Sequence, residues 1–235
     1  QFTRFVTGES PFISECPEEY ELPVIWQDHM ECEEPFAIDN FSGWTSIDGD
    51  GGQTWGATDV DFANENYIGS GIIWNHDQAT PVTPGADISV YAPYEGSQGL
   101  YFFASGANAT TFPNDDWMIS PEFTISGVTS PSLTFWAKSL TDFYPLDRFQ
   151  IGIGTSTNPA DFTIISGNSD VVVPIEYTQY QYDLSAYDGQ TVRIGVHCVS
   201  NDSFILMMDS FKVEGTGTFG VNDFNTLEMS LYPNP

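Results

Sequence analysis

The apolar runs of this chain are short. Clusters of Gly, Pro, Asn, Asp, Ser and Thr interrupt nearly every one within about ten residues, and no window keeps the i, i+3, i+4, i+7 spacing of a helix. A chain punctuated in this way buries itself as strands. R-F-Q-I-G-I-G (148–154) sets Phe149, Ile151 and Ile153 on one face, and T-V-R-I-G-V-H-C-V (191–199) alternates Val192, Ile194, Val196 and Cys198. Further strands are expected over 99–105, 132–139, 177–184 and 204–213. Short strands with turn signals between them predict an all-β fold, an antiparallel β-sandwich. The 18 Phe, 11 Tyr and 6 Trp suit an aromatic-rich core between two sheets packed about 10 Å apart.

Two segments differ in character. Residues 1–35 carry E-C-P-E-E-Y-E-L-P-V and H-M-E-C-E-E-P, acidic and proline-punctuated with little alternation, and are expected to form an extended arm. Residues 215–235 begin with linker-like G-T-G-T-F-G-V-N-D-F and end on L-Y-P-N-P. Cys16 and Cys32 bracket part of the first segment, and a disulfide closing a loop of about 15 residues would be worth roughly 3 kcal/mol. That bond is expected, whereas Cys198, inside an apolar run, is expected to be a buried, unreactive thiol.

Charge narrows the partners. Asp and Glu number 33 against 5 Lys and Arg, a formal net charge of −28, which repels nucleic-acid phosphates and anionic lipid head groups. Bound cations are one way to relieve carboxylate repulsion in such a chain, and a solvated acidic surface is the other. No apolar run approaches the roughly 20 residues of a membrane span, so no membrane insertion is expected. No basic n-region followed by an apolar core marks a signal peptide; Gln1 suits a mature N-terminus left by cleavage and suits an arbitrary boundary equally.

The stretch T-S-I-D-G-D-G-G-Q-T-W (45–55) combines two carboxylates with three glycines. It is neither a P-loop nor a dinucleotide loop, since both glycine patterns are missing and no Lys or Arg lies between Arg4 and Lys138. An EF-hand starting at Asp48 would need Asp or Asn at Gly52 and glycine at Gln53. Two readings stand: a turn whose carboxylates converge on one hard cation, or an ordinary Asp-Gly hairpin turn.

F-S-G-W-T-S-I-D-G-D-G-G-Q-T-W (41–55), N-D-D-W-M-I-S-P-E-F (114–123), L-T-F-W-A-K-S (133–139), R-F-Q-I-G-I-G-T-S (148–156) with N-P-A-D-F-T (158–163), and F-I-L-M-M-D-S-F-K-V (204–213) follow one another in an order that resembles cleaved adhesin domains. These are the haemagglutinin-type domains of gingipain proteases, related more distantly to MAM-type jelly rolls. The resemblance spans about residues 36–214. It implies a calcium-binding jelly roll of bacterial surfaces that serves in adhesion or as an accessory module. Carried over by block, it implies calcium ligands at Asp48 and Asp50 in the loop, Asp39 on the opening strand and Asp209 on the closing strand. Gly52 stands where relatives often carry a third loop Asp, which hands that position to water or a carbonyl. For Asp115 and Asp116 it implies a turn cap or a second-site ligand, with the turn preferred.

Asp59 and Asp61 read as exposed carboxylates on one strand face. The segment 62–103 offers Trp74, Tyr91, Tyr94 and Tyr101 as aromatic platforms for surface glycans or glycoproteins, with core packing as the competing role. His76, in W-N-H-D-Q, joins Trp74, Tyr91 and Tyr94 as a candidate ligand-binding residue, while His197 is expected to face outward from its strand. No H-E-x-x-H or G-x-S-x-G is present, so a non-catalytic module is expected. Leu231–Pro235 resembles the opening of a type IX secretion sorting domain, which implies export by that machinery to the extracellular face of a Gram-negative outer membrane. The competing functions are a structural accessory module or secretion cargo, and a glycan-active hydrolase whose carboxylate pair only spatial separation would reveal.

Overall fold

A computed structural model describes residues 22–39, 41, 43–106 and 113–217. Within them the strands run β1 (Val24–Asp28), β2 (Thr45–Asp48), β3 (Val60–Asp61), β4 (Ile72–Asn75), β5 (Thr80–Pro81), β6 (Gln98–Phe103), β7 (Asp116–Ile119), β8 (Phe123–Thr124) and β9 (Val128–Ser139). They continue as β10 (Arg148–Gly154), β11 (Thr163–Ile164), β12 (Val171–Val172), β13 (Thr178–Asp183), β14 (Thr191–Cys198) and β15 (Ile205–Gly217). One sheet has the order β13-β9-β15-β6-β4 with β1 also on β15. The other has the order β11-β10-β14-β7-β2 with β12 on β10 and β8 on β14. Pairing is antiparallel in both sheets, which pack face to face as a jelly-roll β-sandwich.

Alternation fixes which face goes inside. On β9, Leu133, Phe135 and Ala137 enter the core while Thr134, Trp136 and Lys138 point outward; on β10, Phe149, Ile151 and Ile153 meet Cys198, Val196 and Ile194 of β14. The core between the sheets joins these to Trp26, Phe102, Met118 and Phe211, and Phe135 stacks on Phe211 with ring centroids 5.3 Å apart.

Strands β4 and β6 are buried on both faces, and the cause is a second apolar cluster. Ile73, Leu100 and Phe102 face the main core. Ile72, Trp74, Tyr101 and Phe103 face outward beneath a cover that includes Phe36, Val60, Tyr67 and Tyr91. Phe36 and the stretches on either side of β4 between β2 and β6 therefore cover one half of the sheet's outer face.

The first segment departs from expectation. In its described part the arm is a strand of the sandwich: Trp26, Gln27 and Asp28 pair with Val213, Lys212 and Phe211 of β15, and Trp26 stacks on Phe123. One buried aromatic face outweighs the acidic flanks that make these residues look like a tail. Along one edge of β15, Ile205–Met208 pair with β6 and Phe211–Glu214 pair with β1. The hand-over falls at a bulge between Asp209 and Lys212, where Ser210 has φ 56°. Cys32 is disulfide-bonded; its expected partner Cys16 lies outside the described residues. Cys198 is a free, buried thiol.

Candidate metal centre

Strand β2 runs antiparallel to β7, with Thr45, Ser46, Ile47 and Asp48 opposite Ile119, Met118, Trp117 and Asp116. This register puts two carboxylates side by side, and Gly49 then turns the chain back so that Asp50 joins them. Ligand oxygens of Asp48, Asp50 and Asp116 all lie within 4.8 Å of one another.

The loop is held by its own backbone. Gly51 N donates to Asp48 Oδ1 and Gly52 N to Asp50 Oδ1, each at 2.6 Å; Ser105 Oγ donates to Asp50 Oδ1 at 2.6 Å, and Asp115 N to Asp50 Oδ2 at 3.2 Å. Gly49 N bonds to Asp115 O at 2.8 Å, close enough that a Cβ at Gly49 would lie 2.4 Å from that oxygen. A Cβ at Gly52 would lie 2.0 Å from Ser105 Oγ and 2.6 Å from Asp50 Oδ1. These two glycines are required by close approach.

Asp116 is the buried member, only 1 % exposed. Its Oδ2 accepts from Asn114 Nδ2 at 2.7 Å, and its Oδ1 has no hydrogen-bond partner among the described residues. Burial, with added repulsion from Asp50, Asp48 and Asp115, pushes its carboxyl up to about 8. An orphaned, buried carboxylate oxygen beside two further carboxylates is costly without a cation. Oxygens that share one Ca²⁺ at 2.3–2.6 Å stand no more than about 5 Å apart, so this donor set fits a hard cation.

The other expected ligands lie elsewhere. Asp39 is in an exposed bend, just after Ala37 pairs with Ile73. Asp209 is fully buried on β15, opposite Trp136 in the six-stranded sheet, whereas Asp48 and Asp116 belong to the seven-stranded sheet. Backbone N–H groups of Glu95 and Ser210 reach its two oxygens at 2.9 and 2.6 Å. Burial, then Glu95 and Glu31, push its carboxyl well above the usual range. The layering therefore sets Asp209 apart from Asp48 and Asp50. Asp116, read from sequence mainly as a turn residue, is the third carboxylate beside Asp48 and Asp50; strand alternation through D-W-M-I was the signal that could have placed it.

The aromatic candidates also separate. Trp74 and Tyr91 are buried in the second cluster, stacked at 5.4 Å, and Tyr101 also stacks on Trp74 at 5.6 Å. They are core because the covering segment closes over them. His76 is half-buried behind Trp74, with its backbone N–H bonded to Ser97 O. Tyr94 alone of the four aromatics is exposed, at 40 %. Asp59 and Asp61 are both exposed, as expected, and Asp59 Oδ1 in addition accepts from Tyr91 Oη at 2.6 Å. His197 stands on the outer face of β14, stacked on Trp117 at 4.1 Å, with Nε2 2.7 Å from Asp115 Oδ1.

No protein-family model and no curated protein sequence matches the chain. The fold is shared with solved structures of the adhesin type. The K1 cleaved adhesin domain of Lys-gingipain from Porphyromonas gingivalis superposes with TM-score 0.53 at 19 % identity, over 83 % of this chain and 99 % of that domain. The K3 domain from the same organism gives TM-score 0.52 at 16 % identity, over 82 % of this chain and 98 % of that domain. The K2 cleaved adhesin domain of Lys-gingipain also gives 0.52 at 16 %, over 80 % and 98 %. At such identities the likeness establishes a common fold.

Proposed function

We propose that the chain is a calcium-stabilised, non-catalytic binding module of the adhesin type, which takes glycans or glycoproteins at the outer surface of a Gram-negative bacterium. The observation that carries the calcium part is the orphaned Asp116 Oδ1 among the carboxylates of Asp48 and Asp50. Those three residues would hold the ion, whose role is to neutralise them and pin the loop to the β2–β7 ladder. The fold shared with cleaved adhesin domains supports the binding role. Export by type IX secretion rests on Leu231–Pro235, which lie outside the described residues.

The test is thermal unfolding in millimolar calcium against excess chelator, followed by a glycan array. An ion at a hundredfold excess over Kd adds about 2.7 kcal/mol, a rise of about 5–10 °C for a chain of this size. An unchanged midpoint would sink the calcium site. An array with no bound glycan would sink the glycan role.

A further inference from the structure

The outer face of the six-stranded sheet is only half covered. Over β4 and β6 it lies beneath the second cluster; over β13, β9, the C-terminal half of β15 and β1 it is open. Across that open half the register aligns Gln181, Thr134, Lys212 and Gln27 in one row. The next row aligns Gln179, Trp136 and Asp209. Four adjacent strands make a strip about 14 Å wide.

Tyr94 stands at the boundary between the two halves. Its ring lies flat on Trp136, centroids 4.0 Å apart and planes 10° apart, and Tyr177 meets it edge-on at 5.6 Å. Three bonds pin the segment that carries it: Glu95 N to Asp209 Oδ2 at 2.9 Å, Tyr177 Oη to Ala92 O at 3.2 Å, and Lys138 Nζ to Val90 O at 2.9 Å. An exposed tyrosine backed by a tryptophan and held on a pinned segment is a rigid, flat apolar plane beside a polar floor.

We propose that this open half-face, headed by Tyr94 on Trp136 and floored by Thr134, Gln179 and Gln181, binds a neutral glycan chain. The inference rests on the glycan-binding reading above and gives it a location and a ligand class. A sugar ring presents an apolar C–H face that an aromatic plane accepts, and hydroxyls that carboxamides and a threonine can bond. Charge decides for a neutral chain. Both lysines of the sequence are on this face, yet Lys138 is spent on Val90 O and the Tyr177 ring, and Lys212 on Glu214. The remaining field is that of a chain with net charge −28, which repels polyanions.

The test uses the full chain with calcium against a glycan array holding neutral and anionic members, with affinities then measured by calorimetry. Tyr94→Ala and Gln181→Ala probe the face, and Trp55→Ala, an exposed tryptophan elsewhere, is the control. The proposal expects a neutral glycan to bind, tryptophan emission to shift on binding, and Tyr94→Ala to weaken affinity about tenfold with an unchanged melting temperature. Trp55→Ala should bind like the parent. Undiminished binding in both face variants would move the site elsewhere and overturn the location while leaving the binding module intact. Binding of anionic glycans alone, of no glycan, or a self-association that Tyr94→Ala abolishes would overturn the proposal outright.

Discussion

Asp48 faces Asp116 directly across the β2–β7 ladder. Like charges at opposed positions destabilise an antiparallel pair, and here the repulsion is tightened by Asp50 and by burial of Asp116. The ladder therefore calls for a counter-charge or a proton at its end. Asp116→Asn removes one carboxylate while keeping the shape and the acceptor to Asn114. It should raise stability in chelator and abolish the difference between calcium and chelator, read as two melting curves. A calcium response that survives would remove Asp116 from the site.

Gly52→Ala tests the loop without touching a carboxylate. Its methyl would stand 2.0 Å from Ser105 Oγ and 2.6 Å from Asp50 Oδ1, so Asp50 must move. The expected result is at least a tenfold weaker calcium affinity by calorimetry, with the parent fold retained by circular dichroism.

Trp74→Ala should act on stability alone. The indole is fully buried and stacked against Tyr91 and Tyr101, and a large-to-small change there costs about 3–5 kcal/mol. Denaturant unfolding would show it as a lower midpoint. A ligand-binding loss at unchanged stability would contradict the core assignment.

Asp147 gives a pH dependence away from the metal centre. It is buried, accepts from Ser200 Oγ at 2.9 Å, and burial pushes its carboxyl from the ordinary 3.8 up to about 7. A raised folded-state pKa means the folded chain holds the proton more tightly than the unfolded one. The contribution is complete below about pH 4 and is lost as pH rises through about 7, on the order of a few kcal/mol. Asp147→Asn should flatten the stability profile across that window; an unchanged slope would assign the pH dependence to other groups.

The free thiol supplies a further check on the core. Burial pushes Cys198 well up from the ordinary thiol range, so a disulfide reagent should label it only after unfolding. Rapid labelling of the native chain would show that β14 opens locally.

Strand periodicity carried far in the sequence where one face is buried. Residues 148–154 form β10 as expected, and the expectations at 132–139, 177–184, 191–199 and 204–213 each overlap a strand. It failed where burial is two-sided or edge-like: β4 has no polar face, because the covering segment hides it, and β1 is short and flanked by acids. The carboxylate cluster was half legible. Asp48 and Asp50 are neighbours in sequence, so a local turn announces them, whereas Asp116 reaches them only through cross-strand register. Asp209, carried over by block order, lies in the other sheet from Asp48, and block order does not say which sheet a strand joins. Tyr94 differs from Trp74 and Tyr91 only in lying outside the cluster, which no local pattern encodes.

The pairing of β1 with β15 also has a mechanical side. Val24 is matched with Glu214 and Asp28 with Phe211, so chain entering at Val24 and chain leaving past Gly217 meet at one end of the same ladder. With the disulfide at Cys32 reduced, tension applied along those two directions loads the hydrogen bonds one after another, starting at Val24, in a peeling rather than a shearing geometry. β1 would yield before the sheets separate, and Trp26 would leave its stack on Phe123 as the first aromatic to reach water. A module pulled in this way would give up a strand at low force and keep its loop and its sandwich beneath.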